Sequence, residues 1–428
     1  MSDKLRSFHE FMPEDVWKWK IIEQQIDNVL SLHNYQEIRL SVLQDYSVLH
    51  DGITALMDVI EASQVTKQVL SLTAPDDNVS LLSLRPEGTI SVLHHTAKRF
   101  QDGDIHRFYY HGPMFRKDKN HQPMEFYQLG VELLGSDSIL SENEIISLGM
   151  RLIHQLGLQD ARLEINSYGC EECRVDFFRD MRQHIDNHKE NLCAHCYTEL
   201  LNNPLADTCC QDDGCNVIAH QGPQIQNYLC EKCKINFHKV KKIQANLANE
   251  YKVNDHLFKN FSYYNETVFD IIADLRGVPT VIGGGGRYDY LSQMITGKKI
   301  PAVGFYINLD TVFEIMHERN LFRENLTPFA VYICAQTQDM EIMMLQIAQE
   351  LHEQNIITIL SADILPTEVE IKTAIRKGCN VMIILREENI REGKVLIRNL
   401  GKEHQDYTAL NQIINEILIA RKATIQEK

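Results

Sequence analysis

Four short cysteine pairs constrain this chain more than any other feature. Cys170 and Cys173, Cys193 and Cys196, Cys210 and Cys215, and Cys230 and Cys233 share one stretch. Nine of the eleven cysteines lie between Cys170 and Cys233. Two thiolates at such spacing can share a metal ion, and two pairs complete a tetrahedral site with no open position. Eight ligands suit two structural zinc ions, holding together an insertion whose apolar content is too low for a core of its own. Reduced, unmetallated thiols are the plainer alternative, and one or two filled sites are both compatible with the spacing. Cys209 has no partner in this scheme, and Cys334 and Cys379 read as core fillers. Clustered thiols point to metal rather than disulfides, and so to a reducing compartment.

The hydrophobic period changes along the chain. A helix is predicted from Val16 to about His33, then a strand over Glu37–Leu43. Pro75–Asn78 reads as a turn, Val79–Leu84 as a strand and Ile90–Phe100 as a helix. Phe108–Phe115 and Met124–Leu134 alternate as two strands around a charged loop, an antiparallel hairpin. Thr267–Ile272, Val278–Ile282 and Ala302–Tyr306 continue the strand pattern. Together these predict an α+β domain on an antiparallel sheet. After a linker at Arg319–Thr327, strands and helices alternate, with a last helix over Tyr407–Arg421. That pattern predicts an α/β domain on a largely parallel sheet.

The net charge of −16 argues against a general nucleic-acid coat, but leaves room for a local basic path. No apolar run reaches membrane-span length, and Met1–Arg6 leads into no apolar signal core. A cytoplasmic, non-membrane protein is expected.

Several segments could carry chemistry. Arg85-Pro86-Glu87-Gly88-Thr89 sets a carboxylate beside a glycine, which suits an ammonium group or an ordinary turn. Arg116, at a strand end, could grip a phosphate with two prongs or be a solvated hairpin tip. Phe126, Gln128, Gly130 and Glu132 share one strand face, a binding floor or a solvent face. Gly283–Gly286 lets a ligand approach the backbone, or makes a flexible hairpin; it lacks the Lys-Ser/Thr of a phosphate loop. Tyr263 and Tyr264 suit a stacking wall or a core.

Taken together, these segments resemble class II histidyl-tRNA synthetases, over nearly the whole chain. The resemblance rests on Arg85–Thr89, Tyr110–Arg116 with Glu125–Glu132, Tyr263-Tyr264, Gly285–Asp289, Pro301–Phe305, Leu163–Ser167 and Asn203–Leu205. The cysteine pairs recur in one branch of that family. The resemblance implies a class II catalytic domain over residues 1–325, interrupted by a cysteine-rich insertion at 168–245, and an anticodon-binding-like domain over 328–428.

It further implies ATP-dependent activation of histidine with Mg2+ and transfer to tRNA(His) by a homodimer. Glu87, Thr89, Gln128, Glu132, Tyr263, Tyr264, Arg287 and Tyr288 would bind histidine. Arg116, Phe126, Gly304 and Thr311 would bind ATP, with Arg116 and Lys259 catalytic. The sequence departs from the family at anion-binding positions. Lys259 stands where the family has arginine, and Asn308-Leu309-Asp310-Thr311 replaces Gly-Leu-Glu-Arg. A basic residue is missing around Gln122, and Ser41 replaces the first motif's proline. Charge-assisted bonds contribute roughly 1.5–3 kcal/mol each, so these losses weaken nucleotide activation. The alternative is a paralogue that binds histidine or a related ligand in a regulatory role, like the regulatory subunit of ATP phosphoribosyltransferase.

Overall fold

The computed structural model describes residues 10–48, 69–73, 80–117, 123–205, 213–247, 249–257, 259, 263–322, 329–402 and 404–426. The turn at Pro75–Asn78, the hairpin tip with Lys119 and Gln122, Cys209 and Cys210, Asn260–Ser262 and most of the linker lie outside them. The chain divides into two compact units, Met1–Phe322 and Arg323–Lys428.

The first unit begins with the helix Pro13–Leu32, which opens on proline and two acidic residues, Glu14 and Asp15. Proline at the start forfeits no helical bond, and the carboxylates complement the positive helix end. Its strands are β1 (Gln36–Glu37), β2 (Leu43–Asp45), β3 (Ser71–Thr73), β4 (Ser80–Leu84), β5 (His106–Lys117), β6 (Pro123–Leu134), β7 (Arg162–Ser167), β8 (Tyr251–Val253), β9 (Asn265–Leu275), β10 (Val278–Arg287) and β11 (Ala302–Asn308). An eight-stranded sheet runs β1-β5-β6-β11-β10-β9-β7-β8, and a small sheet runs β2-β4-β3. The pairs from β5 to β7 across the large sheet are antiparallel, whereas β1 and β8 join its edges in parallel. One long strand over Glu37–Leu43 was expected, but only its ends belong to strands, one in each sheet. In the gap, the Leu40 carbonyl accepts the Arg85 guanidinium at 2.8 Å rather than a sheet partner.

The helix Ile139–Gln155 covers one face of this sheet, with Ile145, Ile146, Leu152 and Ile153 in its core. Gly283–Gly286 is no hairpin; it lies in the second half of β10, paired to β9 and β11 on either side. A Cβ on Gly285 would collide with the Gly304 carbonyl, so these strands come closer than side chains permit.

Between β7 and β8 the described helices are Glu171–Asn187, Ala194–Asn202, Asp213–His220 and Glu231–Asn246. This segment buries apolar residues, in a core it shares with the sheet. Phe177, Met181, Ile185, Leu200, Ile218 and Ile225 are buried in one cluster with Tyr110, Val268 and Tyr288 of the sheet region.

The second unit holds β12 (Ala330–Ala335), β13 (Ile357–Leu360), β14 (Val381–Leu385), β15 (Lys394–Asn399) and β16 (His404–Ala409), ordered β13-β12-β14-β15-β16. The first three are parallel, but β15 and β16 run antiparallel. The sheet is therefore mixed rather than largely parallel. Tyr407 lies in β16, and the last helix starts only at Ile413. Cys334 and Cys379 are buried in an apolar cluster here.

Candidate functional site

A cavity of about 440 Å³ opens over the middle of the large sheet, within the usual size range for small-ligand sites. Glu87, Thr89, Arg116, Phe126, Gln128, Glu132, Lys259, Tyr263, Tyr264, Tyr288 and Gly304 all line it. Residues far apart in sequence converge because β6, β10 and β11 are neighbours. Gly304 faces Glu132 on one side and Gly286 on the other.

Glu132 is the polar centre. Thr89 donates its hydroxyl to Glu132 at 2.8 Å, Tyr110 does so at 3.2 Å, and Tyr288 donates as well. Burial pushes the Glu132 carboxyl up to about 8, against the pull of these donors. A Cβ on Gly304 would overlap Glu132 Oε2, so glycine is needed beside it.

Glu87 accepts the amides of Thr89 at 2.6 Å and Ile90 at 2.9 Å, capping the helix Thr89–Ala97. Burial raises its pKa, and the two amides and the Arg116 charge oppose the shift. Arg116 donates Nε to the Pro86 carbonyl at 2.7 Å, and its guanidinium lies 5.0 Å from the Phe126 ring centre. One face of the group is thus occupied by an aromatic ring. Burial lowers its pKa, while Glu87 pulls the other way.

Tyr263 and Tyr264 pack with ring centres 4.7 Å apart, and Tyr288 meets them at 6.0 and 6.4 Å. Burial raises the pKa of all three phenols, so they act as neutral donors near pH 7. Lys259, nearly closed off from solvent, pairs with Asp270.

Two sequence-assigned residues are not brought to the cavity. Arg287 is 1% exposed and bonds to Glu142 at 2.8 Å, to Asp289 at 3.0 Å and to the Ser136 and Ser138 carbonyls. Its reading as a histidine contact is corrected: the guanidinium fastens two parts of the fold. Thr311 lies in the first turn of the helix Leu309–Glu318, its amide capped by Asn308 at 3.0 Å, and does not line the cavity. Asn308 lines it instead.

The thiols sort into two groups. Cys170, Cys173, Cys230 and Cys233 have their sulfurs within 4.8 Å of one another, so the first pair meets the fourth. Cys170 and Cys173 stand 3.6 Å apart. Tetrahedral zinc with Zn–S bonds of about 2.3 Å sets sulfurs roughly 3.8 Å apart, so the donor set fits that ion. Cys193, Cys196 and Cys215 form the second group. Cys210, the remaining ligand expected from sequence, falls outside the described residues.

The profile described as "Histidyl-tRNA synthetase" matches residues 7–181 and 218–312. The chain belongs to the histidyl-tRNA synthetase family. A second profile, "Anticodon binding domain", matches residues 330–419. The chain is 28% identical over 416 residues to the histidine–tRNA ligase of Halothermothrix orenii, covering 96% of this chain and 98% of that one. It is 27% identical to that of Listeria monocytogenes, covering 96% and 97%. In fold it is similar to apo S. aureus histidyl-tRNA synthetase, with TM-score 0.78, 21% identity and coverage of 97% and 100%. A Bacillus halodurans structure titled as an ATP phosphoribosyltransferase regulatory subunit/histidyl-tRNA synthetase gives TM-score 0.63 at 20% identity, covering 90% and 98%.

In this member of the histidyl-tRNA synthetase family, Tyr110, Asp270, Tyr306 and Asn308 also line the cavity and were missed from sequence. Asp270 left one signal, a carboxylate inside the apolar run Val268–Ile272.

Proposed function

We propose that the chain is a class II histidine–tRNA ligase, activating histidine with ATP and Mg2+ and passing it to tRNA(His). The observation that carries this reading is the joint presence, in one cavity, of Glu132 with its hydroxyl donors and of Arg116 beside Phe126. Glu87, Thr89, Gln128 and Glu132 would receive the ammonium end. Tyr264 and Tyr288 would contact the imidazole, with Tyr263 behind them. Arg116 would hold the α-phosphate with Phe126 under adenine and Gly304 admitting the ligand to the floor. Magnesium would screen the displaced phosphates.

The family resemblance supports a cytoplasmic homodimer, a catalytic domain over 1–325 with its insertion at 168–245, and tRNA contact through residues 328–428. No described helix is long and apolar enough to cross a membrane. Zinc on Cys170, Cys173, Cys230 and Cys233 would be structural, since four thiolates leave no position for substrate; a second zinc on Cys193, Cys196 and Cys215 would take Cys210 as its fourth ligand.

A second reading is favoured by the Lys259–Asp270 pair. Among the described residues, the cationic side chains lining the cavity are Arg116 and Lys259, and the latter already has a carboxylate partner. That supports a histidine-binding paralogue with weak activation. Histidine-dependent ATP–pyrophosphate exchange decides. Exchange supports the ligase; histidine binding by calorimetry without exchange overturns it and supports the paralogue.

A further inference from the structure

The four-thiol group lies next to the segment that supplies the tyrosine wall. Cys170 and Cys230 each stand at the N-cap of a helix, Glu171–Asn187 and Glu231–Asn246. The Cys230 amide donates to the Cys173 sulfur at 3.1 Å, so both helix starts share one cluster. Gly169 has φ +61°, and a Cβ there would come within 2.6 Å of Cys173 Cβ and 2.9 Å of its sulfur. Only glycine allows the chain to turn so tightly against the cluster.

Each of these elements then reaches Tyr264–Glu266. The Gly169 carbonyl accepts the Glu266 amide at 3.0 Å, and the Tyr168 amide donates to the Glu266 carbonyl at 2.7 Å. Arg174, one residue past Cys173, donates to the Tyr264 carbonyl at 3.3 Å. Asn236, three past Cys233, donates to the Glu266 carboxylate at 3.4 Å. Glu266 itself has φ +52°, a left-handed conformation unfavourable to a residue with a side chain. The β9–β10 register also shifts between Gly286 and Arg287, opposite Val268 and Asn265. Strained backbone of this kind persists only where its surroundings over-determine it.

We propose that zinc held by Cys170, Cys173, Cys230 and Cys233 clamps the Tyr264–Glu266 segment and so positions the tyrosine wall of the cavity. The site is more than a staple within the cysteine-rich stretch; its occupancy sets ligand affinity. The affinity part rests on the proposed histidine-binding reading, and the clamp itself does not. Without the ion, the two helix starts are held by the packing of Leu229 against Cys173 and Cys233 and by the Cys230 amide bond, and the base under Arg174 and Asn236 loosens.

The full chain, loaded with zinc and then stripped by a chelator, tests this. Metal is counted by atomic emission, backbone order by hydrogen exchange, and histidine affinity by calorimetry. On stripping, amides at 264–268 are expected to exchange at least about fivefold faster and histidine affinity to fall by a similar factor, a typical size for coupling between sites. Amides of β12–β16 should not change. Arg174→Ala should reproduce both effects while zinc content stays at the wild-type level, with partial recovery in Arg174→Lys. This variant also decides the matter if Cys230→Ser does not fold. Absence of zinc at this group, or equal exchange at 264–268 in loaded and stripped protein, overturns the clamp. Faster exchange on stripping, in a protein that takes up no histidine in either state, keeps the clamp and overturns the function proposed above.

Discussion

Lys259 and Asp270 of β9 form an ion pair on the wall of the cavity. A nucleotide phosphate approaching Lys259 must compete with that carboxylate. Removing one partner of a buried pair strands the other, at a typical cost of about 3–5 kcal/mol. Asp270→Asn is therefore expected to lower stability to denaturant by roughly this amount without ligand. Mg2+-ATP should restore more stability in the variant than in the wild type. Equal stabilisation of both proteins by ATP, measured by urea denaturation, would show that Lys259 does not meet the nucleotide.

Glu132 predicts a proton balance. With its carboxyl pushed up to about 8, it is protonated near pH 7 in the empty cavity. An ammonium seated against it favours the carboxylate. Histidine binding at pH 7 is expected to release close to one proton, and the release should fade above pH 8. Calorimetry in buffers of different ionisation heat measures this, and proton-neutral binding at pH 7 would contradict it. The sign for stability follows from the same shift. A carboxyl raised from 4.5 to about 8 binds its proton more tightly when folded, so its contribution declines as pH rises across that window.

Arg287 and Glu142 predict a stability effect. Both side chains are 1% exposed and joined at 2.8 Å. Arg287→Ala leaves Glu142 buried and unpaired, with an expected loss of about 3–5 kcal/mol. The double variant Arg287→Met, Glu142→Leu should recover much of it. Denaturant midpoints test both. Loss of histidine affinity in Arg287→Ala at an unchanged midpoint would restore a direct ligand role.

Gly304→Ala places a methyl group against Glu132 Oε2 and 2.6 Å from the Val131 carbonyl. Histidine binding is expected to disappear, while the second unit's chemical shifts stay as in the wild type. Retained affinity would mean that Glu132 is not the ammonium partner.

Arg386 and Arg398 each keep a buried Nε without a hydrogen-bond acceptor among the described residues. A tRNA phosphate beside either guanidinium would supply an acceptor. If tRNA lies over this surface, Arg386→Ala and Arg398→Ala should each reduce the slope of log affinity against log salt by about one. An unchanged slope in filter binding would remove them from the contact.

Much of this was legible in the sequence, because hairpins and amphipathic helices follow local periods. The β5–β6 hairpin and the polar face of β6 could be read directly from alternation. The glycine run could not. Glycine weakens isolated strands, and only the close approach of β9 and β11 explains its place in β10. β16 escaped because nearly every residue in it is exposed, so no alternation marks it. Cysteine spacing indicated metal-ligand pairs, but not that the first meets the fourth, which depends on two helix starts being brought side by side. Arg287 was misplaced because a charged residue after a glycine run reads as a ligand contact, while its partner Glu142 is 145 positions away.

The unsubstitutable glycine run of β10 also limits how such a protein can diverge. Any substitution at Gly284, Gly285 or Gly286 drives an atom into a neighbouring strand or side chain. Inherited changes in ligand preference would therefore fall on other lining side chains, such as Phe126, Tyr306 and Asn308, over a glycine run that descendants keep bare.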